Sequence, residues 1–315
     1  MLITSAMQGT CLKKKWKPCW ALEPYRKTPI MSDLNILILV GVLRLDDQMF
    51  VNIALNKPAQ LQHRLILNDN TSNARNAVDG RKSDLTWDGG QCSASAGRET
   101  ATWWVNLTDI RSIHHITIYY MVGQRPWGAS NLFTPSFLGL SVYISNTTDK
   151  LEGTLCFKNN IFTLDTIPAN LTITCPIHGQ YVIYYNERLS GETYPKDYSP
   201  FAQSDLCEVE VYGCPKTGYY GNNCLISCPD VNCQYCHIET GTCQGCKPGY
   251  RGHHCESVCP YGFFGQNCAK RCNETCTCCN NVNGSCEFGC IEGWRGYLCH
   301  EGSDNSGTFV PGLSF

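Results

Sequence analysis

The chain has 315 residues, a formal net charge of −2 and a hydrophobic fraction of 43%. Its length predicts about two domains, and the near-neutral charge excludes the broad positive field that nucleic acid binding needs. The sequence contains no His-Glu-x-x-His motif, no nucleophile elbow and no phosphate-binding glycine loop. We therefore expect that the protein is not an enzyme and that it does not bind nucleic acid.

Residues 1–50 are interpreted as a leader that contains a signal segment or is disordered. The apolar stretch 34–43 has the length of a signal-peptide core if translation starts at Met31, but Asp33 is the wrong charge for the flank of such a signal. A buried or irregular segment is the alternative. No run in the sequence reaches the roughly 18 apolar residues of a membrane span, so we expect no membrane span within this chain.

Short β patterns separated by clusters of Gly, Pro, Asn and Asp fill residues 51–213. The stretch 114–122 alternates at period two, as a strand with one buried face does. Helix signals are weak, so this part predicts an all-β domain, either an antiparallel sandwich or a barrel. The predicted strands are 102–107, 114–122, 138–144, 181–185 and 207–212.

The stretch 76–92 is polar and turn-rich, with three glycines and three aspartates. Glycine accepts a positive φ and aspartate bonds to its own backbone, so this composition predicts a loop that folds back on itself. Backbone carbonyls beside a carboxylate form the oxygen environment that Ca²⁺ prefers. The stretch ends in Cys92, and the distant pair Cys207 and Glu208 could supply a disulfide and a second carboxylate.

An ordered set of motifs runs through the β domain: VNIALNKPA at 51–59, NAVDG at 76–80, TWWVNL at 102–107 and LCEVEVYG at 206–213. Together they resemble the F-type lectin domain, also called fucolectin or tachylectin-4-like. The resemblance covers about residues 51–213. It implies a jelly-roll sandwich of the discoidin or galactose-binding-like class.

The resemblance also implies a structural Ca²⁺ site in the turn. Asp79 and Glu208 match the carboxylate ligands of the family, and Asn76 and Arg81 match positions that bind the ion through backbone oxygen. Gln91 stands where the family often has a ligating Ser, which is a departure from the pattern. The alternative is a loop held by hydrogen bonds alone.

The sugar site of the family matches poorly. Fucose-binding members have a His shortly after the first cysteine and two Arg residues further on, one of them beside a pair of cysteines. Here Cys92 is followed by Ser93 without a His, and the later loop contains a single Arg, Arg125. Arg125 and Trp127 could form a different ligand site, since an Arg donor beside an aromatic face suits a sugar. The alternative is that Trp127 packs against its own turn.

The C-terminal part repeats the motif Gly-aromatic-x-Gly-x-x-Cys. Its four copies are 218–224, 249–255, 262–268 and 293–299. Seventeen of the 23 cysteines lie between Cys214 and Cys299, a density that indicates export to an oxidising compartment. Units this short need covalent staples because they cannot bury a core. The spacing resembles EGF and laminin-type EGF modules of multiple-EGF-domain scavenger and engulfment receptors. We expect such modules over 214–300 and a disordered tail over 301–315.

Ten disulfides are implied by these two resemblances. The pairs are Cys92–Cys207 and Cys156–Cys175 in the β domain, and Cys214–Cys224, Cys228–Cys236, Cys233–Cys243, Cys246–Cys255, Cys259–Cys268, Cys272–Cys279, Cys276–Cys286 and Cys290–Cys299 in the modules. Cys278 is an extra cysteine beside Cys279. It could form a disulfide-linked dimer, stay a thiol or exchange roles with Cys279. The finger-like spacing of Cys233, Cys236, Cys243 and Cys246 leaves zinc as an alternative, but the repeated motif favours disulfides.

Six Asn-x-Ser/Thr sequons mark candidate glycosylation sites. Asn106 is doubtful because it lies within a predicted strand. The sites that we expect to be modified are Asn70, Asn146, Asn170, Asn273 and Asn283.

The sequence therefore predicts an extracellular recognition protein of the scavenger-receptor or innate-recognition type. A lectin-like head would bind glycan or another cell-surface ligand, and an EGF-like stalk would space it from a membrane or from other extracellular proteins. We expect a secreted protein or the ectodomain of a single-pass receptor. The alternative is a structural matrix or adhesion protein whose β domain has lost sugar binding.

Overall fold

A computed structural model describes residues 50–66, 71–123 and 125–302 of the chain. Eight antiparallel strands build the β domain. They are β1 (Val51–Asn52), β2 (Ala59–Leu61), β3 (Thr100–Tyr120), β4 (Ser141–Ser145), β5 (Thr154–Lys158), β6 (Asn170–Thr174), β7 (His178–Glu187) and β8 (Leu206–Gly213). The connections include 3₁₀-helices at Ala74–Val78, Thr134–Phe137 and Lys150–Glu152. The predicted all-β fold class is confirmed.

Three expectations fall on residues that the structure does not describe. They concern the leader up to residue 49, the tail after residue 302 and the sequon at Asn70. Within the described ranges, no helix has the length and apolar character needed to cross a membrane.

Strand β3 organises the β domain because it belongs to two sheets. Its first half pairs with β2 and β7, and its second half pairs with β6 and β8. The register shifts between Asn106 and Arg111, where Thr108 has a φ of 74°. The strand order along the main path is β1-β8-β3-β7-β4-β5. The sequence predicts two separate strands here, whereas the structure has one chain path that passes from one sheet into the other.

The core of the β domain contains residues from both sheets. Every second side chain in the first half of β3 is buried: Ala101, Trp103, Val105 and Leu107. Ile116 from the second half and Val209 from β8 join the same cluster. The indole N–H of Trp103 donates to the Ala74 carbonyl at 3.0 Å, so the helix that precedes the turn is attached to the core.

The cysteine-rich part is built from short hairpins. Its strands are β9 (Tyr219–Tyr220), β10 (Ile226–Ser227), β11 (Cys233–Cys236), β12 (Cys243–Cys246), β13 (Tyr250–Arg251), β14 (Ser257–Val258), β15 (Phe263–Phe264), β16 (Lys270–Arg271), β17 (Trp294–Arg295) and β18 (Glu301–Gly302), with a 3₁₀-helix at Gln266–Cys268. Cysteines take the place of an apolar core, as in the cluster of Cys276, Cys286 and Cys299.

The repeated motif has a repeated backbone conformation. Its first glycine, its second glycine and its closing cysteine all have positive φ, at 83° for Gly218, 84° for Gly221 and 53° for Cys224 in the first copy. The same three positions have positive φ in the other three copies. Glycine is required at the first two because they combine this conformation with a tight turn. The motif therefore encodes one turn geometry four times.

All ten pairs named above are disulfides in the structure. The cysteines with finger-like spacing are all in disulfides, so the zinc alternative is wrong for these positions. Cys278 is also disulfide-bonded, so the alternative of a thiol at this position is wrong as well.

The described residues divide into two compact units. One contains residues 50–247 and 251–257, and the other contains residues 248–250 and 258–302. The first unit thus includes the first cysteine-rich module. In this unit His178 of β7 lies 3.1 Å from the Cys236 carbonyl, and His114 of β3 lies 2.9 Å from the Glu239 carboxylate.

Candidate functional site

The turn 76–92 begins in the 3₁₀-helix Ala74–Val78. Asn73 caps this helix, because its side-chain oxygen accepts a hydrogen bond from the backbone N–H two residues later. The helix ends at Val78 with Asp79 as its C-cap, and Gly80 follows with a φ of 80°. Residues with a side chain rarely adopt that conformation, so Gly80 allows the chain to reverse. The reversal directs the Gly80 N–H toward β8.

Glu208 of β8 is fully buried beside this turn. Both of its carboxylate oxygens accept from the Gly80 N–H at 3.2 Å. The pKa of Glu208 is raised to about 7, chiefly by burial and further by the charges of Asp79 and Glu210, while the hydrogen bond from Gly80 acts in the opposite direction. A buried carboxylate next to like charges is stabilised by a cation.

Two of the neighbouring carboxylates already form ion pairs with cationic side chains. Lys82 lies 2.5 Å from the Glu210 carboxylate and 4.4 Å from the centre of the Tyr119 ring. Arg81 lies 3.9 Å from Asp79, and both side chains are partly exposed. In the described residues no Lys, Arg or His forms such a pair with Glu208. The electrostatics of the turn are therefore suited to one further cation.

The side chains of Asn76 and Gln91 are used inside the turn. The amide of Asn76 donates to the Thr71 carbonyl at 3.0 Å and to the Cys92 carbonyl at 3.1 Å. The side-chain oxygen of Gln91 accepts from the Ser83 N–H at 3.1 Å, from the Ser83 hydroxyl and from the next backbone N–H. These hydrogen bonds close the loop. They also occupy the side-chain oxygen of Gln91, which is the atom that would have to bind a metal ion.

The end of the turn is fastened to β8. Cys92 and Cys207 form a disulfide across 115 residues of sequence, and both are buried. Immediately beyond it, Ser93 and Leu206 exchange two backbone hydrogen bonds of 2.7 and 3.0 Å. The turn is thus attached to the same strand that carries Glu208, which fixes the position of the carboxylate relative to Gly80.

The donor set of the turn fits a hard divalent cation in part. Two carboxylates belong to this set: Glu208 accepts from the Gly80 N–H, and Asp79 accepts from the Arg81 N–H. Asn76 and Arg81 have backbone oxygens in the same turn, which is the type of ligand that Ca²⁺ accepts. Gln91 does not fit as a side-chain ligand, for the reason given above.

Arg125 and Trp127 do not form a common ligand site in the structure. The Trp127 ring is half-buried and stacks on Tyr120 at 5.3 Å, and it packs against Phe137 at 5.9 Å. Its indole N–H donates to the Ile167 carbonyl at 2.8 Å. Trp127 is thus held by the core and not by its own turn, while Arg125 is exposed. This placement argues against a sugar platform made from the two side chains.

The sequons differ in the state of the amide nitrogen that would carry a glycan. Asn106 lies within β3, and its amide donates to a tyrosine hydroxyl at 3.3 Å. The amide of Asn273 donates to the Leu298 carbonyl at 3.0 Å. Asn146, Asn170 and Asn283 are exposed, as is Asn273. Asn106 is therefore the least accessible attachment site of these five.

Two cavities were not anticipated from the sequence. One, of about 850 Å³, lies between β3 and the first cysteine-rich module; its charged groups Asp109, Asp230 and Lys247 are all bonded to other protein groups. The other, of about 490 Å³, lies between Glu99 and residues 188–201. No sequence signal beyond aromatic residues in a loop rich in Gly, Pro and Ser marks the second cavity.

No protein-family model matches the chain. A stretch of 48 residues, 15% of the chain, is 46% identical to the Danio rerio angiopoietin-1 receptor; it spans 4% of the length of that protein.

Solved structures that the chain is similar to include a lectin domain of lectinolysin complexed with Lewis B antigen, with 18% identity, coverage of 51% of this chain and 96% of that chain, and a TM-score of 0.38. A fucolectin from Morone saxatilis serum is 21% identical, with coverage of 53% and 50% and a TM-score of 0.39. A Streptococcus pneumoniae fucose binding module is 20% identical, with coverage of 51% and 96% and a TM-score of 0.37. At these values the similarity carries no conclusion about what this chain binds.

Proposed function

We propose that the chain is an extracellular recognition protein whose β domain binds glycan through its loops and whose EGF-like modules form a stalk. The observation that carries this proposal is the fastening of the turn 76–92 to β8 by the Cys92–Cys207 disulfide and the Gly80–Glu208 hydrogen bonds. A loop fixed on a rigid sheet is the usual setting of a recognition site. The motifs of the β domain that resemble F-type lectins support glycan as the ligand class.

Calcium is part of the proposal. Asp79 and Glu208 would hold the ion, together with backbone oxygens of Asn76 and Arg81. The bound ion would neutralise two carboxylates and so lower the pKa of Glu208, which burial chiefly raises and the charges of Asp79 and Glu210 raise further. Asp79 also accepts a hydrogen bond from the Arg81 N–H at 2.8 Å, which keeps its carboxylate in place.

Asp79→Asn tests the calcium site, because the amide can still accept from the Arg81 N–H. We expect this variant to lower the melting temperature of the protein in calcium chloride and to have little effect in EDTA. Asp88→Asn, an exposed acidic residue of the same turn, is the matched control and should be neutral in both solutions. Equal shifts for Asp79→Asn in calcium and in EDTA would remove the metal from the proposal.

The ten disulfides support folding in an oxidising compartment, as a secreted protein or as an ectodomain. A role in scavenging or innate recognition is the finer form of the proposal. Binding of the full chain to an array of oligosaccharides, with calcium and with EDTA, tests the recognition function directly. Calcium-dependent binding supports it.

A structural matrix or adhesion protein is the second candidate. The core packing of Trp127 and the absence of a His after Cys92 favour it, because both remove the sugar contacts expected at those loops. Absence of binding to every oligosaccharide on the array, in either solution, would favour this candidate over the first.

A further inference from the structure

The long connection between β7 and β8 forms a pocket on the β domain. Residues 188–201 and Glu99 surround a volume of about 490 Å³, and we refer to it as the 188–201 pocket. Binding sites for small ligands commonly enclose about 300–1,000 Å³. The pocket therefore has room for part of an oligosaccharide.

Arg188 fixes the base of the pocket. Its side chain is buried and donates to the Ser199 carbonyl at 2.9 Å and to the Leu138 carbonyl at 2.9 Å. The guanidinium also lies 4.6 Å from the centre of the Tyr198 ring and 5.4 Å from that of Tyr194. Its donors are engaged by the protein, so Arg188 acts as a positioning residue that holds the loop and the two rings in place.

Phe201 gives the pocket an exposed aromatic surface. It is 56% exposed, although phenylalanine is usually buried. The loop around it is fixed, since Ala202 and Arg98 exchange backbone hydrogen bonds of 2.8 and 3.2 Å. Gly97 packs directly beneath the ring, because a Cβ there would stand 2.9 Å from the Cβ of Phe201. On this rigid support the ring offers a flat apolar face on which a ligand can pack.

The charges of the pocket give no advantage to an acidic ligand. Glu99, Glu192, Lys196 and Arg188 line it, so that two carboxylates are balanced by two cationic groups. The N–H groups of Arg188 donate to backbone carbonyls and to the Asn186 side chain, so this residue positions the loop rather than a ligand. A neutral hydroxyl group can both donate and accept a hydrogen bond. The carboxylate of Glu99 can therefore accept from a ligand hydroxyl, and the ammonium group of Lys196 can donate to one.

We propose that the 188–201 pocket is the glycan site of this protein and that it takes a neutral hexose unit of an oligosaccharide. The C–H face of the sugar ring would pack on Phe201, and its hydroxyl groups would bond to Glu99 and Lys196. This inference rests on the proposed function. It assigns recognition to the β7–β8 connection, away from Arg125 and Trp127.

The experiment measures binding of the full chain, in calcium, to an immobilised array of neutral and sialylated oligosaccharides, followed by titration with the tightest neutral binder. We expect wild type to prefer neutral oligosaccharides. Phe201→Ala should weaken that binding by at least about tenfold, the size of effect seen when an aromatic hot spot is truncated. Glu99→Gln should weaken it less.

Leu151→Ala is the control, because Leu151 is 81% exposed in the 3₁₀-helix Lys150–Glu152 and lies outside both the pocket and the turn 76–92. It should leave the affinity within about twofold of wild type. Phe201 and Leu151 are both at the surface, so unchanged melting temperatures will show that the two variants are folded.

The outcomes separate this inference from the function on which it rests. Neutral glycan binding that survives both Phe201→Ala and Glu99→Gln would overturn the pocket and keep the recognition function. Preference for sialylated oligosaccharides, or loss of binding in Leu151→Ala alone, would do the same. Wild type that binds no oligosaccharide would overturn both.

Discussion

His178 at the start of β7 joins the β domain to the first cysteine-rich module. Its Nε2 lies 3.1 Å from the Cys236 carbonyl, and its ring lies 5.3 Å from that of Tyr235. Burial lowers the pKa of His178 to about 4, with a further contribution from His237, against the hydrogen bond to Cys236. We predict that acidification destabilises the first unit through this ring and that His178→Gln removes the effect, since Gln keeps an N–H donor and does not titrate.

The sign and size of the effect follow from proton linkage. The unfolded chain takes up a proton at this histidine as the pH falls through 6.5, whereas the folded chain resists until about pH 4. Stability is therefore lost as the pH falls between these two values. The loss due to His178 amounts to about 2 kcal/mol at pH 5 and about 3 kcal/mol at pH 4. For a unit of this size, about 2–4 °C per kcal/mol converts the loss at pH 5 into about 4–8 °C in melting temperature.

The assay compares melting temperatures of wild type and His178→Gln at pH 8 and pH 5 in the same buffer strength. The quantity of interest is the difference between the two proteins, because other groups titrate in both. His253→Gln is the matched control, since His253 is exposed, and it should follow wild type at both pH values. If His178→Gln loses as much stability on acidification as wild type does, the buried ring is not the cause and the reasoning is wrong.

Three further predictions concern the β domain. Burial raises the pKa of Asp205 to about 7, so the folded chain keeps a proton that the unfolded chain releases. The free energy of unfolding due to this group should therefore fall by about 3 kcal/mol from pH 5 to pH 8. Asp205→Asn should remove this pH dependence in denaturant unfolding, and a variant that keeps the wild-type dependence would contradict the prediction. Trp103→Phe should destabilise by about 2–3 kcal/mol, because it leaves a cavity and removes the donor from the Ala74 carbonyl, whereas the half-buried Trp104→Phe should cost under about 1 kcal/mol. Mass spectrometry of protein secreted from glycosylating cells should find glycan at Asn146 and none at Asn106, whose amide donates to the Tyr181 hydroxyl of β7; the reverse pattern would refute the argument from accessibility.

The residues of the candidate calcium site were found from sequence to different degrees. Glu208 accepts from the Gly80 N–H and Asp79 from the next one, that of Arg81, so the two short motifs meet at this turn as the resemblance implies. The sequence pattern could not show that the side-chain oxygen of Gln91 accepts a hydrogen bond from Ser83, because that contact depends on how the turn closes. Trp127 was open to two interpretations for the same reason, since an aromatic residue in a loop can face the core or the solvent.

The sequence by itself determined the all-β character of residues 51–213 and the cysteine-rich modules that follow. Period-two alternation and a Gly-aromatic-x-Gly-x-x-Cys repeat act over a few residues, so they can be read without knowledge of distant contacts. Only the tertiary structure decided that β3 serves both sheets, that Trp127 belongs to the core and that Phe201 is held at the surface beside Gly97. Those features depend on which distant segments of the chain pack together, and a local sequence pattern does not predict such long-range contacts.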